Sequence, residues 1–404
     1  MLLKLSFRNV LRQRRRSLLT ILTMTGGFFL CALSIGWADG TYNDIIRLFT
    51  DTRTGQIQLH HKGYREDPSL YDKISNYEQL GSTIDDLDRV RAWAPRIYSG
   101  GLLSVRDQSA AGKLVGIDPA LEEEATALSK QLVEGETLSG VPRREAVLGE
   151  GLAERLQAGI GDTVAVLSQG ADGSIANEGY VVVGLIETGD MMSDRANMYL
   201  HISDAQELLV LQGSAHEIAV MTETMQGLDG IAAGIAEAVE RGDVEVVTWK
   251  VFAQDFYRAM KADMAGMWVM LLVIMIVVAV GVLNTVLMSV LERRREYGVL
   301  RALGTRPSGI VSMVVIETLI LSVVAVAVGV PLGLLGIHIL SETGISLSQE
   351  VTYGGMSFQE MRAAFTPRSL YLPTLTVLLT AMLVCLVPAL KAARTRPAEA
   401  MRTY

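Results

Sequence analysis

The sequence predicts an α-helical membrane protein with four transmembrane helices plus a large α+β external domain inserted between helices 1 and 2. Three observations lead there. Half of the 404 residues are hydrophobic and only 20% are charged, too apolar for an ordinary soluble domain and too charged for a chain that is all membrane. Residues 18–37, 264–291, 309–340 and 371–390 are each long enough to cross about 30 Å of hydrocarbon. They hold no Lys, Arg or Asp, and Glu317 is their one acidic residue. Between the first two windows, residues 38–263 are long enough for a core of their own.

The first window follows Arg14, Arg15 and Arg16 and could be mistaken for a secretion signal. It is too long for a signal's apolar region, and no small-x-small cleavage site closes it. Cys31 is preceded by Phe28, Phe29 and Leu30 rather than by the small residue of a lipoprotein cleavage box. The window therefore reads as an uncleaved anchor.

Orientation follows from the basic residues beside the spans. Lys4, Arg8, Arg12 and Arg14 to Arg16 precede the first span. Arg293, Arg294, Arg295, Arg301 and Arg306 separate the second from the third, and Lys391, Arg394, Arg396 and Arg402 follow the fourth. These three segments belong inside. The layout is then 1–37 for the entry and first helix, 38–263 for the external domain with a stalk and 264–291 for the second helix. Residues 292–308 form an inner connecting helix, 309–340 the third helix, 341–370 a short external loop, 371–390 the fourth helix and 391–404 an inner tail. Residues 38–263 hold 37 acidic and 19 basic residues, against a net charge of −8 for the whole chain. The acidity is external, so charge gives no basis for binding nucleic acid. Both cysteines, Cys31 and Cys385, fall inside spans, so the external domain makes no disulfide.

Within that domain, alternation predicts strands at 55–61, 99–107, 112–118, 162–169, 179–188, 197–202, 216–223 and 244–250. Helical spacing predicts helices at 76–93, 149–158, 203–212 and 227–240, with Ser203 as an N-cap. QGADGS at 169–174 reads as a hairpin turn. From 252 to 291 nothing breaks a helix. At 1.5 Å per residue it would run about 60 Å, twice the membrane core, so the second helix continues outward as a stalk. Phe252, Phe256, Ala259, Met260, Asp263 and Met267 share one face of it. That face either packs on its own domain or the first span, or walls a lipid-accessible cavity.

Chemistry is sparse. The five histidines show no metal-ligand spacing, and no serine-hydrolase elbow is present. Gly112-Lys113 is followed by Leu, not by the Ser or Thr of a phosphate-binding loop. The chain reads as no enzyme. Glu317 is the exception in kind, because an acid at membrane depth is functional or carefully paired. A proton relay would want a second acid in the spans, so pairing with the arginine-rich loop is the reading. Gly329, Gly333 and Gly336 allow close helix contact, and Pro331 allows a kink.

The stretch ERRREYGVLRALGTRP, 292–307, carries more than a positive-inside signal. Tyr297, Val299, Leu300 and Leu303 add an apolar stripe, and Gly304 supplies a helix stop. Such a helix suits docking into a cleft on a partner. The surrounding LNTVLMSVLERRREYGVLRALGTRPSGIVSMVVIETLILS closely resembles the signature of the FtsX-like permease domain of ABC transporters, in which this segment is the coupling helix and a Glu follows early in the next span. VPALKAARTRPAEAMR resembles that family's closing motif and FRNVLRQRRRSLLTIL its N-terminal entry. VLGEGLAERLQAGIGDTVAV, VVVGLIETG and SDAQELL resemble the periplasmic domain of MacB and of the lipoprotein-releasing LolC/LolE permeases, and GQIQLHHKGY looks most like the latter branch.

The resemblance implies a type VII ABC permease in a bacterial inner membrane, its large domain in the periplasm. It implies two permease subunits, a second copy or a paralogue, bound to two copies of a separate ABC ATPase that holds ATP and Mg; no cofactor is expected in this chain. Glu296, Tyr297, Gly298, Arg301, Ala302 and Gly304 would form the ATPase contact, and rim arginines such as Arg293 would matter little. Trp37, Phe256, Met260, Asp263 and Met267 would line the substrate cavity and stalk among membrane lipids. Two functions stay open: extraction of a lipoprotein or another amphiphile for a periplasmic acceptor, and a MacB-like efflux or signal relay acting on a periplasmic partner. The sequence does not carry the fused ATPase domain of the macrolide-exporter type.

The topology is checked with an impermeant thiol reagent on intact cells. Cysteines introduced at Ser174 and Ser348 are expected to react from outside, and one at Thr305 is not.

Overall fold

The computed structural model describes residues 8, 12, 14–353 and 356–394. Lys4, Arg396 and Arg402 lie outside the described residues, as does most of the N-terminal entry segment. The chain divides into two compact units. One comprises residues 1–44, 260–348 and 360–404, and the other residues 45–259 with 349–359.

The first unit is built on four helices long and apolar enough to cross a membrane. They are the first helix Arg14–Phe49, the second Gln254–Glu292, the third Pro307–Thr343 and the fourth Arg368–Ala393. Helices are what an apolar chain must form in lipid, where no water pairs with backbone N–H and C=O groups. The first helix runs well beyond residue 37, the expected end of its span, and closes in a π-helical turn at Thr50–Thr54.

The bundle core has Met24, Phe28 and Ala32 of the first helix fully buried against Val282 of the second, Ala325 of the third, and Ala381, Cys385 and Ala389 of the fourth. The glycine stripe of the third helix receives the first helix. A Cβ at Gly329 would stand 2.8 Å from the Phe28 ring, and one at Gly336 the same distance from Phe29. Thr25 donates its hydroxyl to the Ala325 carbonyl at 3.1 Å across the same contact. At the other end of this unit, Asp39 accepts from the Thr366 hydroxyl at 2.7 Å and from Arg368 at 3.3 Å.

The second unit is an α/β domain on a ten-stranded sheet. Its order is Val244–Thr248, Ile57–His61, Glu217–Thr222, Val90–Val105, Gln108–Ile117, Asn197–His201, Glu145–Gly149, Ile175–Ile186 and Leu132–Gly135. Thr163–Gln169 pairs with both Val90–Val105 and Ile175–Ile186. Leu103, Leu148, Leu152, Val166, Val182 and Leu200 fill one apolar core.

The expected helix 76–93 ends at Asp85, and from Val90 the chain is strand. The helical spacing there loses to pairing of Val90–Trp93 with Glu217–Thr222, and Gln108–Ile117 joins on the other side from Arg96. The N-cap expected at Ser203 is His201, whose Nδ1 accepts from the Ser203 N–H at 3.1 Å. A helix at Pro119–Thr126 was not expected, although Asp118 caps it by accepting from the backbone of Ala120 and Leu121, and Pro119 opens it.

That helix serves a buried polar cluster. Arg96, 5% exposed, donates to both oxygens of Glu122 at 3.0 and 2.6 Å and to Glu217 at 3.1 Å. Tyr98 donates its hydroxyl to the same Glu217 oxygen at 3.1 Å. Beside them Tyr64 is stacked between His60 and His216, with centroids 5.3 and 5.5 Å away. His216 accepts the Tyr98 N–H at Nδ1 and reaches the Leu70 carbonyl with Nε2. Burial pushes its pKa down, which agrees with a neutral ring protonated at Nε2.

Arg96→Met leaves two buried carboxylates without their counter-charge. The expected cost is about 3–5 kcal/mol, read as a lowered midpoint when tryptophan fluorescence follows unfolding of the purified full-length protein.

Candidate functional site

The second helix ends at Glu292, and after one non-helical residue, Arg293, the connecting helix Arg294–Ala302 begins. It stops in a Schellman motif. The Thr305 N–H bonds the Leu300 carbonyl at 3.0 Å, the Gly304 N–H bonds that of Arg301 at 3.1 Å, and Gly304 holds φ at 91°. A side chain with a Cβ rarely adopts that φ, so Gly304 ends the helix one residue before Thr305. Pro307 then opens the third helix.

Arg293 organises this corner. It is 8% exposed, donates Nη1 to Glu317 at 2.9 Å and Nε to Glu296 at 3.0 Å, and packs near the Tyr297 ring. The expectation that Arg293 is a rim residue of little weight is therefore wrong. The helix phase turns it into the bundle, where it meets Glu317 of the third helix. Arg12 approaches Glu296 at 3.5 Å, and Arg16 pairs with Glu292 through both of its terminal nitrogens.

The residues expected to form one docking face divide in two. Tyr297, 1% exposed, and Gly298 are buried, and Tyr297 belongs to the bundle core with Leu300 packed against it. Burial pushes the Tyr297 hydroxyl up to about 12, against the pull of Arg293, so the phenol is neutral. Period 3.6 puts them on the face opposite the solvent side. Ala302 and Gly304 are exposed, joined by Val299 at 44% and Leu303 at 78%. Glu296 is exposed but engaged with Arg293. Arg301 is half-buried, and its Nε is buried with no hydrogen-bond partner among the described residues. The outward surface of the connecting helix is thus small and apolar around Ala302, with Leu303 projecting beside it.

The expected cavity wall is largely taken up by packing. Within the bundle unit Met260 and Met267 are buried, and Asp263, though exposed, accepts the Tyr42 hydroxyl at 2.6 Å. Trp37 is 36% exposed. In the α/β unit the Phe256 ring stacks on Phe49 with centroids 4.7 Å apart and meets Trp249 edge-on. Of the five, Trp37 and Asp263 keep open surface.

Comparison with known proteins agrees with this architecture. Residues 17–238 match the model of the MacB-like periplasmic core domain, and residues 268–397 that of the FtsX-like permease C-terminal domain. The chain is 24% identical over 337 residues to the lipoprotein-releasing system transmembrane protein LolC of Neisseria meningitidis serogroup B, covering 78% of each. It is 22% identical over 430 residues to the macrolide export ATP-binding/permease protein MacB 2 of Aeromonas hydrophila, covering 98% of this chain and 60% of that one. Among solved structures, the periplasmic region of MacB from Actinobacillus actinomycetemcomitans is 15% identical at a TM-score of 0.39, covering 51% of this chain and 94% of that one.

Removing Arg293 strands Glu317 within the bundle. Arg293→Met is expected to cost about 3–5 kcal/mol, and adding Glu317→Gln to the same chain is expected to restore most of it. Arg295→Met, on the exposed side of the helix, leaves the melt unchanged. Circular dichroism melts of the detergent-purified protein, read as a double-mutant cycle, check all three.

Proposed function

Since the chain belongs to the ABC transporter permeases of the FtsX/MacB type and is related to LolC, we propose that it is the membrane subunit of an ATP-driven complex extracting lipoproteins, or another amphiphile, from the periplasmic leaflet of a bacterial inner membrane. Members of this family work with an ATPase subunit. In this reading two copies of a separate ATPase hold ATP and Mg, and two permeases, identical or paralogous, face each other. The substrate passes to a periplasmic acceptor.

The observation that carries the reading is the build of the connecting helix. Its inner face is locked by Arg293, Glu317 and buried Tyr297, while Ala302, Val299 and Leu303 face outward. A small residue beside a projecting leucine fits a shallow cleft, and the locked inner face makes any push on the helix a push on the bundle. Glu296, Arg301 and Gly304 set the orientation and end of that contact. The second helix, 39 residues in one piece, is about 60 Å long and is the lever of the mechanism. Trp37 and Asp263 are the residues through which an acyl chain would enter.

A second reading is favoured by the match to the MacB-like periplasmic core domain. There the same stroke drives efflux, or moves a bound periplasmic partner, without drawing a lipid-anchored protein from the membrane.

Ala302→Trp and Leu303→Asp are expected to abolish co-purification of the ATPase and transport, leaving insertion and folding intact. Normal ATPase binding by both would overturn the coupling assignment. A photo-crosslinker at Trp37 is expected to capture a lipoprotein, with a lower yield when ATP is present. Capture of a soluble periplasmic protein alone would favour the relay.

A further inference from the structure

The α/β unit contains a cleft of about 560 Å³ whose floor is the polar cluster around Arg96. That volume is within the roughly 300–1,000 Å³ range of small-molecule sites. We propose that this cleft binds a small zwitterion, a free amino acid or short peptide, with its ammonium on Glu217 and its carboxylate at Lys113. This goes beyond the transport reading and does not rest on it.

Glu217 has an oxygen to offer. Its Oε1 accepts from both Arg96 and Tyr98, at 3.1 Å each, whereas Oε2 has among the described residues the His60 ring at 3.8 Å, beyond hydrogen-bond reach. The residue is 6% exposed and lines the cleft. A carboxylate oxygen with lone pairs to spare at the edge of a cleft is a ready acceptor. An ammonium can supply that bond with three donors.

The cation lies on the same tyrosine. Lys113, exposed at the cleft, holds its Nζ 3.9 Å above the centre of the Tyr98 ring, while the Tyr98 hydroxyl is bonded to Glu217. One side chain therefore carries the acceptor at its tip and the ammonium over its face, a separation that the two ends of a small zwitterion can bridge.

Charge argues against other ligands. Arg96 is turned to Glu122 and Glu217, so the formal charges of Arg96, Lys113, Glu122 and Glu217 cancel. Glu122 stands behind the cleft rather than in its lining, where a phosphate would still meet the Glu217 carboxylate. A divalent metal would find Glu122 already bidentate on Arg96. A ligand that is itself neutral but dipolar matches the site, with a plus end for Glu217 and a minus end for Lys113.

The wall is already formed. Tyr64, wedged between His60 and His216, and the Leu70 carbonyl bonded to His216 hold the segment 62–73 at two points. Gln58 closes the floor, bonded to the Thr54 carbonyl and the His60 ring. Little ordering remains for the ligand to supply.

The probe is L-alanyl-L-alanine, titrated calorimetrically into the full-length protein in phosphatidylcholine nanodiscs. Saturable binding is expected at millimolar concentration or below. N-acetylation of the dipeptide or amidation of its carboxylate is expected to weaken it at least tenfold. Glu217→Gln should remove the preference for the free ammonium and Lys113→Met the preference for the free carboxylate. Lys113 is exposed, so its variant tests the site even if Glu217→Gln fails to fold. Absence of binding overturns the proposal, as does equal binding of the free and blocked dipeptides.

Discussion

The Arg293 guanidinium fixes the corner on which the rest of the bundle's function depends. It is buried in the single residue between two helices and bridges Glu317 of the third membrane helix to Glu296 of the connecting helix. A buried ion pair is weak evidence for stability, since desolvation offsets much of the attraction. Its value here is geometric: bonded at two of its nitrogens, the planar fork fixes the angle at which the connecting helix leaves the second. Tyr297 and Leu300 can then pack inward, and Ala302 and Leu303 are left outside.

The α/β unit uses the same device for another end. Arg96 is bonded at three positions by two carboxylates, tying the helix Pro119–Thr126 to the sheet. The two clusters differ in what they leave over. Around Arg293 two acids from different helices grip one buried cation, which suits a rigid joint. Around Arg96 one oxygen of Glu217 retains capacity and faces a cleft, which suits recognition. Low dielectric strengthens satisfied bonds and penalises unsatisfied ones, so the two outcomes follow from counting donors against acceptors.

Much of this was legible in the chain. The four apolar windows identify the membrane helices because lipid admits few alternatives, and Glu317 announces that a cation must stand nearby. Gly329, Gly333 and Gly336 mark where another helix approaches, and the first helix fills that place with Phe28 and Phe29. Gly304 marks a helix end because its φ suits few other residues. Where the reading failed, a distant partner decided. Residues 86–93 have helical spacing, yet the distant strand Glu217–Thr222 recruits those from Val90 onward. For Phe256 the sequence left packing and a cavity wall both open, and Phe49 stacks on it.

The sequence by itself determined the number of spans, the place of the α/β domain between the first two and the amphipathic character of the connecting helix. Each of these rests on local composition and period, which any short window displays. Only the tertiary structure decided which of five loop arginines meets Glu317 and which side of the connecting helix faces out. It alone brought Glu217 and Lys113 to one tyrosine. Those outcomes depend on helix phase and on strand register between residues far apart in the chain, where a shift of one position turns a side chain to another face.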